Sequence, residues 1–479
     1  MKTPTIVLAA SLATAAFAAD EPAPGANGTG VFGAYAASQQ WVMPTDPLVI
    51  EKLQRWQDQK LGLLITWGTY SQWGIVESWS LITTRHPWNK RPAKYAQMDD
   101  KTYLQTYENL ITTFNPVKFD ADKWAAAFKD AGIKYVLPMA KHHDGFCMWD
   151  TPTTDYKITD PRCPFHADPR ADTVKQITAA CHKQGLSTGI YFSKADWHSP
   201  FYWLPELGPG NGQGPNYKPA SQPEKWQQFQ EFTWKQIAEL MTHYGPQDLL
   251  WLDGGAVRPP NAAIDMDGMA AMARKLQPGL IMVDRTVRGP NENIITPENE
   301  IPDHYLPYPW ETCMTLGNSW SYVPNDKYKS AGTMIRNISR VVARGGNYLI
   351  GIGADPNGEL DPIVYERFKE IGAWLKLNGE AIYGTRPIKP YEQGELAFTT
   401  KADGTVYVII LPKTDNTKPP ATVTIPAELT AKAGTITLLG YGELAPATTQ
   451  DGIATIAIPE KAQANPPCPN AWVVRINRH

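Results

Sequence analysis

Between about Val49 and Arg386, short apolar runs alternate with amphipathic stretches of helical period, which predicts repeated strand–helix units. Leu61 to Thr66, Lys134 to Ala140, Thr188 to Phe192, Leu249 to Leu252, Leu280 to Val283 and Tyr348 to Ile352 are too short for helices. They are expected as buried parallel strands. Between them, Ala121 to Ala131, Asp172 to Lys183, Glu224 to His243, Ala262 to Leu276, Met334 to Ala343 and Ile363 to Leu377 are expected as helices. In the first of these, Trp124, Phe128 and Ala131 fall on one face. The α/β pattern approaches a (β/α)8-like barrel whose final strands are irregular. After Pro387 the rhythm changes: Leu396 to Thr399, Val406 to Leu411, Ala421 to Ile425, Thr435 to Leu439, Ile453 to Ile458 and Trp472 to Ile476 are short alternating runs with no helical pattern between them. This predicts a C-terminal antiparallel β-sandwich of about 90 residues. Pro412 to Pro420 is expected as a hairpin loop. Pro205 to Pro219 has no Gly-Lys-Ser/Thr ending and no strand-to-helix context of a phosphate cradle, so it is expected as a long loop between a strand and a helix.

Met1 to Ala18 has the form of an export leader: Lys2, an apolar stretch from Ile6 to Ala16, and Ala16-Phe17-Ala18 before a cut at Ala19. The stretch is too short to span a bilayer, so the expected destination is secreted or periplasmic, with no membrane partner. The division expected is a leader at 1–18, an N-terminal tail at 19–48, a barrel at 49–386 and a sandwich at 387–479. Formal charge is -3, a mild acidity that provides no attraction for nucleic acid or anionic membrane. Cys147, Cys163, Cys181, Cys313 and Cys468 include no CxxC pair, so no zinc ribbon or thioredoxin motif is indicated. Nothing in the sequence sets the oligomeric state. The 17 Trp and 21 Tyr suit sugar rings as well as ordinary cores.

In such a barrel the chemistry sits where strands end. After the first strand come Thr66-Trp67-Gly68 and then Glu77-Ser78-Trp79; after the second, Lys141-His142-His143-Asp144-Gly145-Phe146; after the third, which carries Tyr191, Asp196-Trp197-His198. The run Leu249-Leu250-Trp251-Leu252 stops on Asp253, either a helix cap or a catalytic carboxylate. Polar and aromatic residues at several strand ends favour the second reading. Adjacent side chains on an extended segment diverge, so His142 and His143 are expected to contact a polyhydroxylated ligand rather than a metal, and no cofactor is indicated. No GxSxG elbow is present. Two carboxylates suffice for glycoside hydrolysis. Asp253 suits the nucleophile. Glu311, between Trp310 and an apolar-aromatic run, suits the acid, because an apolar setting raises a carboxyl pKa. Glu298 and Glu300 compete for that role from a more polar segment.

Lys141-His142-His143-Asp144-Gly145-Phe146, Trp251-Leu252-Asp253-Gly254, Trp310-Glu311-Thr312-Cys313-Met314-Thr315 and Tyr383-Gly384-Thr385-Arg386-Pro387 together resemble glycoside hydrolase family 29, the α-L-fucosidases. Asn347 to Gly353 and Asp355 with Gly358 match as well, so the resemblance spans nearly the whole barrel. It implies a retaining mechanism with Asp253 as nucleophile and Glu311 as acid/base, and sugar contacts from Glu77, Trp79, His142, His143, Tyr191 and Trp251. One position departs. Where the family usually reads His-Trp-Gly, this chain has Thr66-Trp67-Gly68. A lost hydrogen bond to a buried hydroxyl can change which sugar is preferred.

The sequence therefore points to an exo-glycosidase that releases terminal α-L-fucose from glycoconjugates or polysaccharides. With Thr66 in place, α-L-glucosides or α-L-galactosides are alternative substrates of the same mechanism. A non-catalytic carbohydrate-binding protein on a hydrolase scaffold is the alternative from another class.

Overall fold

The computed structural model describes residues 41–82, 90–287, 289–415 and 417–478. The expected leader and cleavage site and most of the expected N-terminal tail lie outside the described residues. Seven parallel strands form the first sheet: β1 (Leu61–Thr66), β2 (Tyr135–Lys141), β3 (Ser187–Ser193), β4 (Leu249–Asp253), β5 (Ile281–Asp284), β6 (Glu311–Thr315) and β7 (Asn347–Gly353). Their order is β5-β4-β3-β2-β1-β7-β6, so the sheet curls with β5 and β6 at its edges. The extended segment 292–299 joins those edges. It makes an antiparallel bridge from Val283 to Glu292 and parallel bridges from Ile295 to Trp310 and from Glu298 to Cys313. Pro297 and the absence of a clean apolar run hide this eighth position from pattern reading.

Most helices around the sheet start on a short polar side chain that accepts a backbone N–H, as expected of N-caps. Asp120 caps Ala121–Asp130, Asp172 caps Thr173–Lys183, Asp265 caps Met266–Leu276, Ser330 caps Ala331–Ala343 and Asp361 caps Pro362–Asn378. Trp124, Ala125 and Phe128 turn inward, and truncating Phe128 to Ala would cost about 3–5 kcal/mol in lost contacts and cavity.

Two core layers position the site. The outer one packs helices on strands. The inner one fills the barrel with Leu64, Tyr135, Leu137, Met139, Tyr191, Trp251, Val283, Cys313 and Leu349. The helix Pro47–Gln59, which begins inside the expected tail, closes the lower end of this inner core with Val49, Leu53 and Trp56. Asn347 donates to the Trp56 carbonyl at 2.7 Å and ties that helix to the start of β7. Gly62 in β1 has no side chain because the Tyr135 ring occupies its place: a Cβ there would lie 2.2 Å from Tyr135 Cε2.

The C-terminal part holds a six-stranded and a three-stranded sheet, all antiparallel, with Phe398, Val408, Ile425, Ile456 and Val474 between them. Two expectations fail there. A short helix, Glu460–Ala464, does intervene between strands. Pro412 to Pro420 is not a hairpin loop, because Val406–Ile410 belongs to the larger sheet and Thr422–Pro426 to the smaller one. All five cysteines are free thiols. Among the described residues no helix is long and apolar enough to cross a membrane.

Candidate active site

Asp253 is the last residue of β4, and the strand's pairing puts it level with Ser193 at the end of β3. Tyr191 Oη donates to Asp253 Oδ2 at 2.7 Å, and the Gly254 N–H donates to Oδ1 at 2.7 Å. Arg285, directly after β5, donates from Nη1 to Oδ1 at 3.4 Å. Burial works against charge on this carboxyl, but Arg285 leads the groups that outweigh it, and Asp253 is held well below the usual carboxylate range. It is an anion at any working pH. The Tyr191 ring stacks on Trp251 at 5.3 Å, and Arg285 lies 5.3 Å above the Trp251 ring, so the floor under Asp253 is aromatic.

The turn after β2 brings the two imidazoles together rather than apart, with ring centroids 4.0 Å apart. His142 Nδ1 pairs with Ser78 Oγ at 2.6 Å, and His143 Nδ1 with Ser193 Oγ at 2.7 Å. Burial lowers both; His143 falls to about 4 and His142 well below its usual value, so both are neutral near pH 7. One ring nitrogen of each and a carboxylate oxygen of Asp253 lie within 4.8 Å of one another, closer than divergent neighbours are expected to come. A cation already serves that carboxylate, namely the Arg285 guanidinium. Neutral imidazoles beside a paired carboxylate suit sugar hydroxyls. Trp79 walls this side, edge-on to His143 at 5.1 Å.

Glu77 is buried, with positive φ (33°), and its N–H is held by Ser321 Oγ at 3.1 Å. Burial, with Glu298 and Asp253 close by, pushes its carboxyl well above the usual range, so it is held as the neutral acid. Its Oε2 has no hydrogen-bond partner. Thr66 ends β1 opposite Gly353, fully buried, and its Oγ1 is likewise without a partner. Thr66 Oγ1 at the end of β1 and Glu77 Oε2 in the segment that follows are thus buried polar atoms available to a polar ligand.

Two residues expected in the site are elsewhere. Trp67 packs among Phe114, Phe119 and Trp124, and its Nε1 donates to the Asp355 carbonyl at 3.1 Å; it belongs to the outer core. Glu311 is the first residue of β6, paired with Asn347 at the start of β7, and so stands at the N-terminal end of the barrel. It accepts from the Tyr135 hydroxyl, and from Trp251 Nε1 at 3.3 Å. Burial raises its carboxyl to about 7, as an acid would need, but with 0% exposure it lies on the wrong side of the aromatic floor.

Besides Glu77, the glutamate that reaches Asp253's end is Glu298. It accepts from Arg285 Nη2 on Oε2 and from Trp320 Nε1 on Oε1 at 3.1 Å. One guanidinium thus spans Asp253 and Glu298. Glu298 keeps about a third of its side chain exposed (32%), where Asp253 keeps 16%. Arg285 was missed by sequence reasoning, although the rule that found Asp253, inspecting the residues at each strand's C-terminal end, applies equally to β5.

A family model described as alpha-L-fucosidase matches residues 32–380. The rat tissue alpha-L-fucosidase is 27% identical over 447 residues, covering 89% of this chain and 90% of its own. The human plasma alpha-L-fucosidase is 29% identical over 357 residues, 71% of each chain. Among solved structures, alpha-L-fucosidase isoenzyme 1 from Paenibacillus thiaminolyticus superposes with a TM-score of 0.74 at 26% identity, covering 90% of this chain and all of that one. An alpha-L-fucosidase from Bacteroides thetaiotaomicron, trapped as a covalent intermediate, shares the fold with a TM-score of 0.70 at 24% identity over 91% of this chain. With its barrel matched from end to end, this chain belongs to the α-L-fucosidase family, glycoside hydrolase family 29.

Proposed function

We propose that this protein is an exported, retaining exo-glycosidase that releases terminal α-L-fucose, with Asp253 as nucleophile and Glu298, not Glu311, as acid/base. The observation that carries this reading is the Arg285 guanidinium shared between Asp253 and Glu298 at the mouth of the barrel. Asp253, already anionic, attacks the anomeric carbon while Glu298 protonates the departing oxygen. The glycosyl–Asp253 ester carries no charge, so Arg285 then serves Glu298 alone. Glu298, its proton given to the leaving oxygen and its carboxylate paired with Arg285, then accepts a proton from the water that cleaves the ester. Neutral Glu77 and the two neutral imidazoles supply hydrogen bonds to the sugar. The leader at 1–18 supports export.

The test is hydrolysis of aryl α-L-fucoside by the wild type, Asp253→Ala and Glu298→Ala, with azide rescue. Each variant loses about 100-fold or more in turnover. Azide gives the inverted glycosyl azide with Asp253→Ala and the retained one with Glu298→Ala. Near-normal activity in Glu298→Ala would remove Glu298 from the role. A second reading, preference for an α-L-glucoside or α-L-galactoside, is favoured by the unpartnered Thr66 Oγ1, which leaves a polar group waiting at that wall.

A further inference from the structure

We propose that Gln213, carried by the loop 202–217, is a further sugar-binding residue of this site and that with His143 it reads a single hydroxyl of the bound glycoside. The inference rests on the glycosidase reading and adds a contact to it. Three aromatic donors fix the loop's backbone. Tyr202 Oη donates to the Gln213 carbonyl at 2.6 Å, Trp197 Nε1 to the same carbonyl at 3.3 Å, and Trp203 Nε1 to the Gly214 carbonyl at 3.0 Å. Trp197 and Trp203 stack at 5.2 Å and 11°. Asn216 staples the other limb, accepting from Leu204 N at 2.8 Å and donating to the Leu204 and Gly208 carbonyls at 3.0 and 2.7 Å. Gly210 lets the indole in, since a Cβ there would lie 2.6 Å from Trp203 Nε1. The loop is thus built from its backbone, which leaves the Gln213 side chain without a scaffold role. Its amide Nε2 stands 3.4 Å from His143 Nε2.

The protons on this pair are set by a chain of bonds. The one hydroxyl hydrogen of Ser193 goes to the Ala195 carbonyl at 2.7 Å, so Ser193 Oγ accepts from His143 Nδ1–H. A neutral imidazole protonated at Nδ1 has a lone pair at Nε2. His143 therefore accepts and Gln213 donates, across a separation too long for a strong bond. A sugar hydroxyl placed between them donates to His143 Nε2 and accepts from Gln213 Nε2, and replaces one loose bond with two good ones. A deoxy position offers neither half.

The experiment compares wild type, Gln213→Ala and Gln213→Glu. It measures kcat and KM on aryl α-L-fucoside and its monodeoxy analogues, and the Kd of an L-configured iminosugar by calorimetry. In Gln213→Ala, KM and Kd rise roughly tenfold, as for a lost neutral hydrogen bond, while kcat changes by less than about twofold. The penalty disappears for one monodeoxy analogue, which lacks the hydroxyl being read. Gln213→Glu, which turns an acceptor toward the His143 lone pair, binds no better than Gln213→Ala. Wild-type KM and Kd in Gln213→Ala, or an equal loss across every deoxy analogue, overturns the assignment. If the wild type cleaves no aryl α-L-glycoside, the hydrolase reading fails, and the iminosugar titration still decides Gln213.

Discussion

Tyr135 donates its hydroxyl to Glu311 at the floor of the barrel, beneath the Tyr191–Trp251 aromatic layer that underlies Asp253. This buried carboxyl has an acid's pKa without an acid's position. Unfolded, it releases its proton near 4.5; folded, near 7. Between those values only the folded state holds the proton, so stability falls as pH rises through that window and levels off above it. The difference corresponds to about 3 kcal/mol.

Glu311→Gln removes that linkage. Its amide keeps an acceptor for Trp251 Nε1 and offers a donor to the Tyr135 oxygen. We expect activity within a few-fold of wild type, and a melting temperature that gains on wild type between pH 5 and pH 8. Thermal unfolding and aryl fucoside assays at both pH values check this; turnover reduced to the level of Asp253→Ala would return Glu311 to the mechanism.

Arg285→Met should be strongly damaging, because Arg285 pairs with both Asp253 and Glu298. Asp253 loses the cation that outweighs its burial, and its carboxyl rises toward the ordinary range. We expect kcat/KM to fall by roughly 30-fold or more, as when one partner of a buried charge pair is truncated. The acid limb also moves to higher pH than in wild type, because Arg285 holds down His143 as well as Asp253. A pH–rate profile reads both; an unshifted profile contradicts the electrostatic role.

His143 sets the acid side of the wild-type profile. It takes up a proton only near pH 4, and Nε2 then no longer accepts. Asp253 lies lower still and stays ionised through that range. Sugar affinity should therefore hold from neutral pH down to about 5 and fall through about 4. Iminosugar titrations across that range test it, and affinity constant down to pH 3 would be inconsistent with an accepting His143.

Thr66→His fills the wall where Oγ1 has no partner. If the threonine opens the site to other sugars, the histidine variant raises the ratio of fucoside to glucoside or galactoside kcat/KM by about tenfold, the size of one hydrogen bond in a built pocket. Parallel assays with the three aryl α-L-glycosides give the ratio directly. No change would show that Thr66 does not select the sugar.

Much of this protein is written locally. The apolar runs located six of the seven parallel strands because burial on both faces demands continuous apolar residues. Asp253 was legible for the same reason, as a carboxylate that abruptly ends such a run. The histidine pair, Glu77 and Trp79 came to light from the chemistry gathered just beyond each strand. The position that leads us to propose Glu298 over Glu311 was not legible. Both are glutamates near tryptophans and prolines, and local composition favoured Glu311, whose surroundings do raise its pKa. What decides is where a strand begins and which segment lies beside it. β6 starts at Glu311, which places that residue over the helix Pro47–Gln59, whereas the irregular segment 292–299 carries Glu298 up to Arg285. The same holds for Gln213, whose position depends on a loop folded around Trp197 and Trp203. Sequence alone determined which residue types stop at strand ends. Strand register and nonlocal packing decided which end of the barrel each one faces, because neither is encoded in a residue's own neighbours.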